Sequence, residues 1–312
     1  MIELRQTLIA LSIPLAFVMT APAEPAWAGK TVRLLTVGNS FSGNATRYLT
    51  QIAEAAGHKL VLGRADLPGC SMQRHWEAVE AAEANPADAE GKPYTVQVGD
   101  SREHRSLKEI LTSEKWDFVT IQQYSAISHN AATYRPYARN LRDYIRKHAP
   151  QAEVVIHQTW AYRRDDPRFA ADSDSQERMY RQSRNAYCSI ARELGLRVIP
   201  VGDAFYAADT FGPWRYRPVE FDPAHARYPD LPDQTHSLHV GWYWSVDGNG
   251  GRKLAMDGHH ANANGCYLAG CVWFEFLFGE SVEDNNFTPS EVTVEDARVL
   301  RYIAHRSYRN AP

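Results

Sequence analysis

The 312-residue sequence has no excess of positive charge. Its 34 lysines and arginines stand against 37 acids, a formal net charge of −3. The basic footprint that nucleic-acid binding requires is therefore missing. Cysteine is scarce: Cys70, Cys188, Cys266 and Cys271 are all there is, and no pair is spaced C-x-x-C. That spacing disfavours a thiolate zinc site. Past residue 28 no apolar run is long enough to span a bilayer. There is no internal repeat, no low-complexity tract and no linker-like stretch, so residues 29–312 read as one domain. A hydrophobic content of 44% excludes a disordered or fibrous chain.

One apolar run is present, at the start. Arg5 is followed by the run Leu8 to Val18, and the segment closes on Ala26-Trp27-Ala28. A basic n-region, a short apolar h-region and a small-x-small end predict a secretory signal peptide over 1–28, cleaved after Ala28. The product is expected to be secreted or periplasmic, with no membrane span after cleavage. An oxidising compartment would permit disulfides. Sequence does not choose among the three connectivities, and the cysteines read equally as small buried hydrophobes. It sets no oligomeric state.

The rest of the chain alternates short apolar runs with amphipathic stretches. Strands are expected over 32–37, 59–64, 118–122, 153–157 and 197–201. Helices are expected over 43–56, 72–84, 107–114, 134–148, 176–194, 262–278 and 292–306. About five strands separated by helices predict an α/β fold, a parallel sheet covered by helices on both faces. The polar stretch 85–105 reads as a loop or small hairpin. Residues 211–250 hold eight aromatics, five prolines and four glycines. Proline and glycine recur too often for a helix, so this reads as a long ordered loop.

Three places carry chemistry. Ser40 follows the first strand in Gly38-Asn39-Ser40-Phe41-Ser42, where a parallel sheet presents ligands and a helix begins. A serine there can be a nucleophile or only a helix cap. Asp257-Gly258-His259-His260 lies in an expected loop before the last apolar helix. Asp-x-x-His can supply a base and the carboxylate that orients it. Gly69, after the second strand, and the amides of Gln122 or Gln123, after the third, are candidate oxyanion donors. Trp214, Tyr216, Trp242, Tyr243 and Trp244 could form a platform for a sugar ring, or simply pack the loop.

Together these positions resemble the SGNH/GDSL hydrolase superfamily. Gly38 to Ser42 matches its first block, G-D-S-x-S, with Asn39 in place of Asp. Gly69 resembles the second-block glycine, and Asp257-x-x-His260 matches the last block. The third block, usually G-x-N-D, is replaced by Thr120-Ile121-Gln122-Gln123-Tyr124-Ser125. The G-N-S-F-S start, Trp116 to Gln122, His157 to Tyr162 and the D-G-x-H ending resemble a secreted bacterial branch of that superfamily. The resemblance implies a three-layer flavodoxin-like fold and ester hydrolysis without metal or other cofactor. Ser40 would be the nucleophile, His260 the base and Asp257 its orienting carboxylate. Ser40, Gly69 and Gln122 would hold the oxyanion. Secretion and the aromatic loop point to a small-molecule or glycan ester, such as an O-acetylated carbohydrate. Two rival readings remain. One is a metal-dependent hydrolase using His236, His239, Asp257 and His259, although no H-E-x-x-H is present. The other is a catalytically silent glycan-binding protein on the same scaffold.

Overall fold

The computed structural model describes residues 29–169, 175–212, 214–248 and 250–311. The expected signal peptide lies outside the described residues. The elements run β1 (Thr31–Gly38), α1 (Ser40–Ala45), α2 (Leu49–Ala55), β2 (Lys59–Asp66), α3 (Met72–Ala84), β3 (Tyr94–Val98), β4 (Ser101–Arg105), α4 (Leu107–Leu111), β5 (Phe118–Ile121), α5 (Tyr137–His148), β6 (Glu153–His157), α6 (Ser175–Leu194), β7 (Arg197–Ile199), α7 (Val201–Thr210), β8 (His239–Val246), β9 (Arg252–Ala261), α8 (Ala263–Phe278) and α9 (Val294–Arg309).

Five strands form one parallel sheet in the order β2-β1-β5-β6-β7. Counting only its own strands this is 2-1-3-4-5, the flavodoxin-like order, with its switch point between β1 and β5. The expected three-layer fold is thus present. Alternation along β1 sends Leu34 to one core and Leu35 to the other. The first core joins the sheet to α1, α2, α7, α8 and α9; the second joins it to α3, α4, α5 and α6. The helix α8 is apolar nearly all round, and it is buried between neighbours rather than lying on the surface. Among the described residues no helix is long and apolar enough to cross a membrane.

Several local expectations change. The helix expected over 43–56 is two short helices, because the Thr46 hydroxyl bonds back to the Ser42 carbonyl and the chain turns there. The helix α7 follows Pro200 directly, where proline's fixed φ suits a helix start. The polar stretch 85–105 contains the hairpin β3–β4. The stretch 211–250 is loop only to Leu238; from His239 it becomes the first strand of an antiparallel hairpin, β8–β9. All four cysteines are free, with Cys70, Cys266 and Cys271 buried.

Candidate active site

Ser40 is the first residue of α1, at the C-terminal edge of β1 and at the switch point of the sheet. Asn39 caps that helix, its Oδ1 accepting from the Phe41 N–H at 3.0 Å. Gly38 is needed for a close approach. A Cβ there would lie 2.3 Å from Ser42 Oγ and 2.9 Å from Gln122 Oε1.

His260 Nε2 is 2.9 Å from Ser40 Oγ, and His260 Nδ1 is 2.7 Å from Asp257 Oδ2. The serine, imidazole and carboxylate therefore stand in the order that proton transfer from a serine requires. The Asp-His pair sits not in a loop, as expected, but at the end of β9. A regular strand would point residues three apart to opposite faces. Here the register breaks: β8 advances from His239 to Gly241 while β9 covers Asp257 to Ala261. That irregularity folds Asp257 back under the backbone N–H groups of His259 and His260, at 3.2 and 2.9 Å. Burial works against the charge on Asp257, but hydrogen bonds from His259 and His260 outweigh it and hold its pKa far below the usual carboxylate range. Asp257 is thus fixed as an anion facing the imidazole.

His259 was expected to take part only as a ligand in the metal reading, and the structure instead turns it onto the triad carboxylate. Its Nδ1 lies 2.8 Å from Asp257 Oδ1 and 3.2 Å from Arg168 Nη2. A carboxylate oxygen so near requires the proton on Nδ1, so the arginine is a neighbour of that nitrogen rather than its donor.

Gln122 takes a different part from the one expected. It is 1% exposed; its Oε1 accepts from Ser42 Oγ and His157 Nδ1, and its Nε2 donates to Asn39. A side chain so enclosed braces the nucleophile turn and does not present a donor at the surface. Gln123 is also buried, spending its amide on Thr133 and accepting from Met72 and Tyr124. The turn carrying Gly69 is tied to the nucleophile instead, since Asn39 Nδ2 donates to the next carbonyl, that of Cys70, at 3.0 Å.

The aromatic platform is also corrected. Trp214 is 5% exposed, stacks on His236 and donates to Asp296; Tyr216 is 8% exposed and bonds Asp165 beneath Arg163. Both are packing residues. Trp242 and Trp244 lie across from Met256 and Leu254, whereas Asp257 pairs with Gly241, so alternation puts them on the other face of the hairpin from Asp257. Their ring edges rest on Phe221 and Tyr228. Tyr243 is exposed. Trp214→Ala should cost about 3–5 kcal/mol of stability, measured by urea unfolding.

The four-residue metal set does not assemble. His236 pairs with Asp296 at 3.6 Å, and His239 Nε2 meets the Ala161 carbonyl at 3.0 Å. Among the described residues, Asp257, His259 and His260 are close enough together to hold a metal ion, their ligand atoms within 4.8 Å of one another.

The sheet order and this geometry define a flavodoxin-like α/β protein with a Ser-His-Asp triad at its switch point. The family model of a domain of unknown function, DUF4886, matches residues 33–212 and 245–307, and the chain belongs to that family. Most of the aromatic loop falls outside the match. A DUF4886 family protein from Bacteroides uniformis is similar in structure: TM-score 0.67, 25% identity, covering 90% of this chain and 95% of the other. A candidate SGNH hydrolase from Slackia heliotrinireducens gives a TM-score of 0.46 at 21% identity, covering 78% and 98%. A candidate GDSL-like lipase from Parabacteroides merdae gives 0.45 at 15%, covering 82% and 99%. No curated protein matches.

Proposed function

We propose that the protein is a serine esterase of the SGNH type. The observation that carries this is the continuous chain Ser40 Oγ, His260 Nε2, His260 Nδ1, Asp257 Oδ2, with both links at 2.9 Å or less. Ser40 attacks the acyl carbon while His260 takes its proton. The oxyanion is held by the Ser40 and Gly69 N–H groups. His260 returns the proton to the departing alcohol, then takes one from water, which releases the acyl group and restores Ser40. Asp257 stays ionised throughout and keeps the imidazole in the Nδ1–H tautomer.

The substrate class we propose is an acyl ester of a carbohydrate. Beside the aromatic Phe41 and Tyr162, the groups around the triad include the polar and charged His259, Asp166 and Arg168. A hydroxyl-rich alcohol can satisfy such groups, whereas a long acyl chain would leave them desolvated. The signal-like N-terminus supports an exported enzyme meeting such esters outside the cytoplasm.

A fluorophosphonate probe tests the mechanism. Mass spectrometry should locate a single adduct on Ser40, and Ser40→Ala should abolish it. An adduct on another residue, or none, would overturn the assignment.

A further inference from the structure

A cavity of about 330 Å³ opens beside the triad, walled in part by His129, Tyr162, Arg168, Phe169, Arg178 and Met179. Its wall reaches the site through Tyr162 and Arg168, which meet His259, the neighbour of His260. Tyr162 meets the His259 ring at 5.7 Å, and the His259 ring lies 4.0 Å from that of His260. Among the described residues its wall carries no carboxylate.

Arg168 is aimed in this wall. Its Nε and Nη2 grip Asp166 at 2.8 and 2.6 Å, and its guanidinium carbon lies over the Tyr162 ring, 3.8 Å from the centroid. Asp166 is 3% exposed, whereas the Arg168 side chain is 48% exposed. One edge of the guanidinium is therefore fixed from behind, and the rest is open.

The same anchor is fastened to the catalytic strand. A Cβ on Gly258 would lie 2.2 Å from Asp166 Oδ2, so the glycine between Asp257 and His259 lets that carboxylate close up. The Arg163 N–H, on the same turn as Asp166, donates to the Gly258 carbonyl at 2.7 Å. A cation held this rigidly loses little freedom on meeting an anion, and its planar donors suit a carboxylate.

We propose that this cavity is a subsite for a carboxylate carried by the ester, with Arg168 as its receptor. The proposal rests on the esterase reading above and deepens it: the substrate is an anionic ester, either an acidic sugar bearing an acyl group or a dicarboxylic half-ester.

Two pairs of esters separate these sources. 4-Nitrophenyl hemisuccinate against 4-nitrophenyl butyrate places the charge on the acyl side. O-acetyl glucuronate against O-acetyl glucose places it on the alcohol side. After correction for spontaneous hydrolysis, kcat/KM should favour the anionic member of one pair by about tenfold or more, the scale of a charge-assisted hydrogen bond. Arg168→Gln should bring that ratio to near unity, with the loss in KM. Arg168→Lys keeps the charge without the planar fork and should retain part of the preference; it decides the matter if the Gln variant does not fold. A wild-type ratio of one or less in both pairs, or a ratio that neither variant changes, would overturn the proposal.

Calorimetry with succinate and glucuronate separates this from the esterase reading. If no ester of either charge is turned over, the esterase reading fails. The subsite then stands only if one of these anions binds the wild type and binds Arg168→Gln at least tenfold more weakly. Binding equal in the two proteins, or none, overturns it.

Discussion

Replacing Ser40 with alanine should lower turnover of 4-nitrophenyl acetate by roughly 10³-fold or more, and His260→Ala should do the same. The two residues share one proton: without Ser40 there is no nucleophile to deprotonate, and without His260 the hydroxyl keeps its proton at neutral pH. The double variant should therefore be no slower than the worse single one. A product of the two losses would mean that they act separately. Thermal melts should show both variants folded, since Ser40 and His260 are only partly buried. Asp257→Asn should leave more activity than His260→Ala, because the imidazole keeps its contact with Ser40 while losing the anion that fixes its tautomer.

Acid should unfold the protein in two stages, for a reason that lies partly behind the site. Burial lowers the pKa of His157 and of His239 from 6.5 to about 3, and that of His75 to about 4. Below about pH 6.5 the unfolded chain binds these three protons and the folded chain refuses them, so stability falls with pH. Burial also raises Asp66 to about 6 and Asp209 to about 7 from 3.8. Those two protons are held by the folded state, and they oppose the histidines between about pH 4 and 6. Three against two leaves roughly one net proton near pH 5, a slope of about 1.4 kcal/mol per pH unit. Below pH 4 the unfolded carboxyls also protonate and the opposition fades. His157, His239 and the depressed Asp257 then act together for nearly two net protons, and the slope should rise to roughly 2.4 kcal/mol per unit near pH 3.5. Urea midpoints from pH 7 to 3.5 should show a fall that becomes steeper below about pH 4. His157→Gln should flatten the shallow part; an unchanged slope would mean that His157 titrates normally.

Most of the sheet was legible in the sequence because its strands are buried on both faces, and burial writes itself as runs such as Val32 to Val37 and Glu153 to His157. The site's ends were legible too. Ser40 at a strand edge and Asp257-x-x-His260 before an apolar helix are local patterns, and the structure brings them together across 220 positions of chain. The aromatic stretch misled for a related reason. Composition marks Trp214 and Tyr216 as large rings in a loop, but only packing shows that His236 and Arg163 cover them.

By itself the sequence determined the periodicities, hence the α/β class, and the residue types available for the chemistry. Folding decided which partner each polar atom found. Gln122 carried the right group for an oxyanion donor, yet Asn39, Ser42 and His157 enclose it. His259 was legible only as a candidate metal ligand, yet a break in strand register turns it onto Asp257. Arg168 is one of many arginines in the sequence, made distinct only by a buried carboxylate behind it and His259 beside it. Hydrogen bonds reach about 3 Å and depend on direction, so contacts between residues far apart in the chain are set by the tertiary fold and not by any local pattern.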